Sequence, residues 1–506
     1  QPDVICFDLK RRPFDPTPIH RLDVPEGAVN GFTDHLGNYW IGTDALGIRK
    51  FAPRNGLFRN YMEQVSILCR PVLNGRGKVL MTDIRRKGPK CLLLDLYSGK
   101  TRELRLSEPA TQFGVTPCAD EQGRFWLVAS GRPTKLVQFD PESSQEQHYP
   151  LPAELSNIQP MLKKNDSGQI WLLSDQHIAR FDLRSRTFTV CKTSGAAPIG
   201  EVMAAERDPN GTWWIGTSGG LLKAEPLPNN SASNGGGREE AFRFSLLVTD
   251  TKNRNSLPGN FIKSLLADPA DPNILWVGTN GQGMCRFDTQ KGQFLNFNTQ
   301  NGLPDNVVYG ILADDGQPHK LWISTNRGLA RFDPSTRQFQ YFLKSDGLPD
   351  NEFNTRAAYK APSGEMLFGT VSGLTIFYPK ALEANRPPPA VRLTDVTING
   401  KTASPRDSAA LLRRDVAALD QLDLLFSQNN LLLSFAAMDF TSPSRNRFAY
   451  YLEGAEADWT HQGFEHTAQY LNLAPGTYTF RVKAANSAGI WSEQATTLKI
   501  VIHPPW

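Results

Sequence analysis

The stretch Lys320-Leu-Trp-Ile-Ser-Thr-Asn-Arg-Gly-Leu-Ala-Arg-Phe-Asp-Pro334 joins two apolar runs through a small polar turn, and the second run ends in Arg-Phe-Asp-Pro. Versions of it recur along most of the chain. Trp40 opens Trp-Ile-Gly-Thr, Trp126 Trp-Leu-Val-Ala, Trp171 Trp-Leu-Leu-Ser, Trp214 Trp-Ile-Gly-Thr and Trp276 Trp-Val-Gly-Thr. Leu80 and Leu367 fill the same slot without the indole. The eight anchors are spaced by 40, 46, 45, 43, 62, 46 and 45 residues. A period near 45 with strand-like content predicts a β-propeller with one four-stranded blade per repeat.

Each repeat reads as strand a, an Asp/Asn/Gly turn, strand b with the anchor, a Gly-rich turn, strand c ending Phe-Asp, and strand d. Strand b is apolar at successive positions, as expected when a sheet is covered on both faces. Small residues in the first strands (Ala204-Ala205, Gly310, Ala357-Ala358) suit a crowded axis. Repeat eight shows strands a to c but no clear d, and Ile19–Val24 is the expected closing strand, which would leave the ring no free edge. The reading is all-β: one eight-bladed propeller over residues 1–382, with seven blades as the alternative. The interval of 62 is explained by an insertion, Pro226–Arg238, between strands c and d of the fifth repeat.

Pro387-Pro388-Pro389 falls in a linker, residues 383–390, where the period stops. Six strand-like runs follow in 391–506, with turn signals at Asn399-Gly400 and Pro475-Gly476, and predict an immunoglobulin- or fibronectin-like β-sandwich.

Composition narrows the function. A net charge of +4 without a long basic run argues against nucleic acid as a partner. No run of 18 apolar residues is present to span a membrane, and no apolar leader follows Gln1. The six cysteines read as buried thiols; Cys6 and Cys285 share one repeat position in different blades, and Cys69 with Cys118 is the single pair open to bridging. No CxxC or His/Cys cluster suggests a metal, and no cofactor motif appears.

The units Gly-x-x-Trp-Ile-Gly-Thr and Gly-Leu-x-Arg-Phe-Asp, with Asn301-Gly-Leu-Pro-Asp-Asn306 and Asp346-Gly-Leu-Pro-Asp-Asn351, resemble the two-component regulator propeller repeat. The tail, with Phe448-Ala-Tyr450-Tyr451-Leu-Glu-Gly454, Trp459, Tyr470, Pro475-Gly-Thr-Tyr478 and Asn486, resembles the Tyr-Tyr-Tyr domain that follows such repeats. The ending Pro504-Pro505-Trp506 is similar to the point where these proteins enter a membrane helix. The resemblance implies a periplasmic sensor region of an inner-membrane hybrid histidine kinase or similar regulator. It further implies an oligosaccharide ligand and a homodimeric full-length protein, whose output domain is a kinase or nucleotide cyclase. The best-known sugar sensors of this kind carry two tandem propellers, whereas the repeats here fill one.

The b–c and d–a turns of a propeller share the face around the channel mouth, a default ligand site. They carry Asp44, Arg85, Arg86, Arg132, Asn280, Arg327, Asn354 and Arg356, with Phe261 and Phe353 nearby. Arginine forks and amides suit hydroxyls or carboxylates, and the basic bias points to an acidic sugar. Asp boxes such as Asp208-Pro-Asn-Gly-Thr-Trp-Trp214 read as turn caps. Asp44, Glu201 and Glu352 are the carboxylates outside the repeated slots, but nothing in the pattern brings two together for glycosidase chemistry, so no catalytic residue is expected in this region. The alternatives are a secreted lyase or glycosidase, or a protein-binding scaffold.

Overall fold

The computed structural model describes the strand segments 3–6, 20–23, 28–33, 39–43 and 47–51, and residues 58–505 apart from 63–64, 84–89, 105, 108–115, 130–132, 157, 159, 166, 196–199, 229–239, 254, 317–318, 384–387, 404–415, 441–442, 444–445 and 487–488. The chain forms two compact units. One is Gly56–Leu382; the other combines Gln1–Asn55 with Glu383–Trp506.

In Gly56–Leu382 the repeats form seven antiparallel sheets, numbered one to seven in chain order. Their first strands are Ile67–Leu73, Cys118–Ala119, Met161–Lys164, Val202–Arg207, Ile262–Ala267, Val308–Ala313 and Phe353–Lys360. Each of these strands neighbours the next, and the last returns to the first, so the sheets close a propeller-like ring. Burial grades outward. Strand b is buried at every position in Phe125–Ala129, Trp213–Thr217, Ile274–Thr279 and Leu321–Thr325, whereas outer strands such as Gln293–Phe297 are largely exposed.

The expected eight sheets and the expected closing strand are both corrected. Sheet seven takes its fourth strand from Arg59–Tyr61, in the register Leu374↔Tyr61, Thr375↔Asn60 and Ile376↔Arg59. His20–Asp23 pairs instead with Asp3–Cys6. The packing explains the choice. Phe58 enters an aromatic cluster against Phe342 (5.5 Å) and Phe377 (5.1 Å), and the Asn60 amide donates to Gly347 O at 2.7 Å. Strands a to c of repeat one (Ala28–Thr33, Tyr39–Thr43, Gly47–Phe51) form a three-stranded sheet in the other unit, where Trp40 meets Phe440 edge-on at 5.6 Å. The insertion after sheet four's third strand lies mainly outside the described residues, but Lys192–Gly195 adds a parallel fifth strand to that sheet.

The repeated motif residues have separate tasks. Asp120, Asp208 and Asp268 cap the a–b turns and accept the indole N–H of Trp126 (2.9 Å), Trp214 (3.1 Å) and Trp276 (2.8 Å). The buried hydroxyls of Thr217, Thr279, Thr325 and Thr370 donate across the b–c turn to Gly220, Gly283, Gly328 and Gly373. The Phe-Asp carboxylates accept backbone N–H groups that begin the c–d turn, as Asp182 does from Arg184 and Ser185, both at 2.9 Å.

These last bonds make an acid response predictable. The Lys78 ammonium, followed by turn N–H groups, lowers Asp95 to about 2. The N–H of Glu142 lowers Asp140, that of Ser185 lowers Asp182, and that of Lys291 lowers Asp288. At Asp333 burial acts upward, but Lys320 and Ser335 outweigh it and the carboxyl falls below its ordinary range. A carboxyl lowered by folding stabilises fully above its unfolded value of about 3.9, and loses that contribution as pH falls toward the folded value. The urea midpoint should therefore decline steadily below about pH 4. A variant carrying Asp95→Asn, Asp182→Asn and Asp333→Asn should show a shallower decline; parallel slopes would remove the turn carboxylates as the cause.

Among the described cysteines, Cys91, Cys118, Cys191 and Cys285 are buried free thiols, and Cys69, also buried, does not bridge to Cys118. Burial raises the thiols of Cys91 to about 11 and of Cys118 and Cys191 to about 12.

In the other unit, the sheet Val391–Ile398, Lys401–Thr402, Leu431–Ala437, Thr467–Tyr470 and the five-stranded sheet containing Arg447–Glu453 and Gly476–Ala485 share one core around Phe435, Leu452, Phe480 and Val482. Tyr450, Tyr470 and Tyr478 join that core, and the Tyr478 hydroxyl donates to Ala474 O at 2.9 Å. Tyr451 and Trp459 meet edge-on at 4.8 Å outside it, with the Lys483 ammonium 4.4 Å from the Trp459 ring. No helix among the described residues is long and apolar enough to cross a membrane.

Candidate functional site

Backbone irregularity aims side chains at the ring axis. The pairing of strands a and b slips between Val202 and Ala204, between Ile262 and Ser264, and between Val308 and Gly310. Met203, Lys263 and Tyr309 are the residues left over, and all three line the axial channel. Bulges of this kind turn a side chain out of the alternating pattern. The slip is wider in sheet seven, between Phe353 and Ala358, and in its ring neighbour sheet one, between Leu68 and Val72. Arg356 (φ 60°) and Cys69 (φ 72°) occupy the left-handed region inside those two bulges. A left-handed arginine costs about 1–2 kcal/mol, and such strain concentrates at binding sites.

At the channel end where strands a begin, Arg356 Nη2 donates to Glu201 Oε1 at 2.8 Å and Val202 O at 2.5 Å. The Arg356 side chain is 9 % exposed, and its Nε has no partner among the described residues. Lys263 Nζ donates to Thr355 Oγ1 at 2.9 Å and lies 5.1 Å and 4.8 Å from the Phe261 and Tyr309 ring centres. The Tyr309 hydroxyl donates to Asn326 Oδ1 at 2.7 Å. Burial, then the charge of Arg356, holds the Lys263 amine below its ordinary range, with Glu201 opposing. Burial, then Glu352 and Asp305, raises the Tyr309 phenol. No carboxylate among the described residues forms an ion pair with Lys263. The mouth thus offers buried donors beside two aromatic faces, a combination that holds polar ligands with flat apolar surfaces.

A desolvated ammonium is costly, and methionine matches its length without the charge. Lys263→Met should therefore melt at a higher temperature than the parent in calorimetry. A lower melting temperature would mean that the ammonium serves the fold.

Of the described residues expected at the site, Arg356 alone is brought into the channel, and Phe261, expected nearby, lies at its mouth against Lys263. Asp44, Arg85, Arg86 and Arg132 lie outside the described residues. Asn280 is exposed, and its N–H donates to Phe261 O at 2.9 Å, serving the turn. The Arg327 side chain is 79 % exposed, 3.8 Å from Asp305. Asn354 donates to Ile67 O at 2.9 Å and Ser66 Oγ at 3.2 Å, joining sheet seven to sheet one. Phe353 is core. Lys263, Tyr309 and Thr355 were missed, although a signal existed: each lies at the start of strand a, and the first two sit between a β-branched and a small residue, Ile262-Lys-Ser264 and Val308-Tyr-Gly310. Among the described residues no group of three or more His, Cys, Asp or Glu side chains could hold a metal.

Comparison with known proteins agrees with the resemblance read from the repeats and tail. Residues 439–503 match the Y_Y_Y domain. The chain is 33 % identical over 155 residues to Histidine kinase P4 of Formosa agariphila, an alignment covering 30 % of this chain and 11 % of that protein. Its fold is similar to the extracellular domain of hybrid two component system BT3049 from B. thetaiotaomicron, with a TM-score of 0.65 and 22 % identity, over 94 % of this chain and 62 % of that one. The chain thus spans only a small part of the kinase and less than two thirds of the solved domain.

Proposed function

We propose that this chain is the extracytoplasmic ligand-sensing region of a membrane-anchored signalling protein of the hybrid histidine kinase type. In this reading a seven-bladed propeller, residues 56–382, receives an oligosaccharide, and a β-sandwich, residues 391–506 joined by the linker 383–390, passes the response toward the membrane. The observation that carries it is the Lys263–Arg356 mouth: two buried cations stand beside the Phe261 and Tyr309 rings, and Arg356 is held there in a left-handed bulge. Glu201 is already bonded by Arg356, which favours recognition over acid–base catalysis there. A ligand shifts signalling only by binding one arrangement better than another, so the relay proposed is a change in dimer geometry across paired sandwiches.

Native mass spectrometry with neutral and acidic oligosaccharides tests this. An intact sugar retained by the parent and lost in Lys263→Met and Arg356→Gly is expected; glycine accepts the left-handed backbone, so the second variant keeps the bulge. Shortened or unsaturated products would replace the sensor with an enzyme, and silence across the panel would favour a protein partner. Sedimentation with and without the sugar then reads the dimer.

A further inference from the structure

The opposite end of the channel, where strands a finish, opens into a second recess of about 360 Å³, wholly within Gly56–Leu382. Four cationic side chains line it: Arg70, Lys163, Lys164 and Arg207. Its one lining carboxylate among the described residues, Glu206, is already taken by Lys163 Nζ at 2.7 Å. Arg207 lies over the rings of Trp171 (4.6 Å) and Trp213 (5.5 Å), and its Nε donates to Gly211 O at 3.2 Å. Arg70 lies over the Tyr359 ring at 5.2 Å and makes no hydrogen bond or ion pair among the described residues.

Trp171 and Trp213, 1 % and 3 % exposed, wall the recess, and their indole N–H groups have no acceptor among the described residues. Trp126, Trp214 and Trp276 satisfy theirs with an aspartate, whereas among the described residues Trp322, away from the recess, does not. Asn165 stands before Trp171 where Asp120 stands before Trp126, and its amide is engaged with Gln169 instead. The recess therefore has surplus positive charge and an unpartnered planar donor fork, which together complement an oxoanion. Burial also keeps the Lys163 amine below its ordinary range despite Glu206, a cost that a bound anion would offset.

We propose that this recess binds the oxoanion group, carboxylate or sulfate, of an acidic saccharide, with Arg70 as its principal contact. The recess shares Arg70, Lys163 and Glu206 with the axial channel but none of Lys263, Tyr309 and Arg356. Both ends open on one axial channel, so an acidic chain could be read at its charged group here and at its hydroxyls there.

Titration calorimetry of the full chain at low ionic strength, with glucuronate, inorganic sulfate and glucose as probes, tests it. Binding of glucuronate, sulfate or both is expected, with none for glucose, and added sodium chloride should weaken it. Glucuronate alone would assign a carboxylate and sulfate alone a sulfate ester. Arg70→Gln should weaken binding at least tenfold, Arg70→Lys should restore part of it, and Arg392→Gln, at an exposed position of the other unit, should change nothing. Melting curves matched to the parent would exclude loss of fold. Absence of anion binding, or full binding by a folded Arg70→Gln, overturns the proposal. Anion binding without any retained oligosaccharide would instead leave this site standing and remove the sensor reading.

Discussion

Trp322→Ala should lower the unfolding free energy by about 3–5 kcal/mol, the range for deleting a large buried aromatic. Trp322 is fully buried; its ring centre lies 5.5 Å from Phe342 and 4.8 Å from Phe377. Phe58 completes the group from the closing strand. The Trp322 indole N–H has no acceptor among the described residues, so no hydrogen bond is lost and the effect is one of packing. A domain is commonly stable by only about 5–15 kcal/mol, so this one side chain decides whether the ring stays shut at elevated temperature. Urea unfolding followed by far-ultraviolet circular dichroism would measure it, with Trp322→Phe retaining much of the stability. A loss below about 1 kcal/mol would mean that neighbouring aromatics collapse into the space and the cluster is not the clasp described.

Gly278→Val should cost about 1–3 kcal/mol or more through overpacking. Gly278 is the glycine of Trp276-Val-Gly-Thr279, and a Cβ there would stand 2.3 Å from Ser264 Oγ and 2.5 Å from Val308 Cγ1. Val308 begins the first strand of the next sheet, so the repeated glycine marks where one sheet presses on another. Gly75, with open space where its Cβ would lie and an ordinary φ, is the control. Gly75→Ala should be neutral or stabilise by about 0.4–1 kcal/mol, through the unfolded chain. Equal melting temperatures for the two variants would show that the sheets can separate without penalty.

The repeat was legible because its cause is local. The cap, the indole acceptor and the turn hydroxyl all act within about ten residues, so each leaves a mark at a fixed offset. The repeat boundary was less legible because ring closure is decided by distant partners. A clue was nevertheless present: Gly56-Leu-Phe-Arg-Asn-Tyr61 parallels the outer strands Gly292-Gln-Phe-Leu-Asn-Phe297 and Arg337-Gln-Phe-Gln-Tyr-Phe342, whereas Ile19–Val24 has no aromatic for the cluster. The site was the hardest part. Polar residues in turns suggested contact with ligand, yet Asn280 and Asn354 serve the backbone. Lys263 and Tyr309 reach the axis through a one-residue slip in pairing, and Arg356 through a wider one, which period and composition do not record.

Closure by Arg59–Tyr61 also has a consequence for the order of assembly. The bond from the Asn60 amide to Gly347 O spans 287 positions, among the longest loops the chain must close. Six sheets can form from neighbouring segments as they emerge during synthesis, but the seventh waits for a strand made before all of them. Phe58 must remain unclaimed through that interval, and loop closure over such a span is entropically late. The earliest strand of the ring is thus the last to be seated, and the rate of that step sets how long a nearly finished ring exposes an open edge.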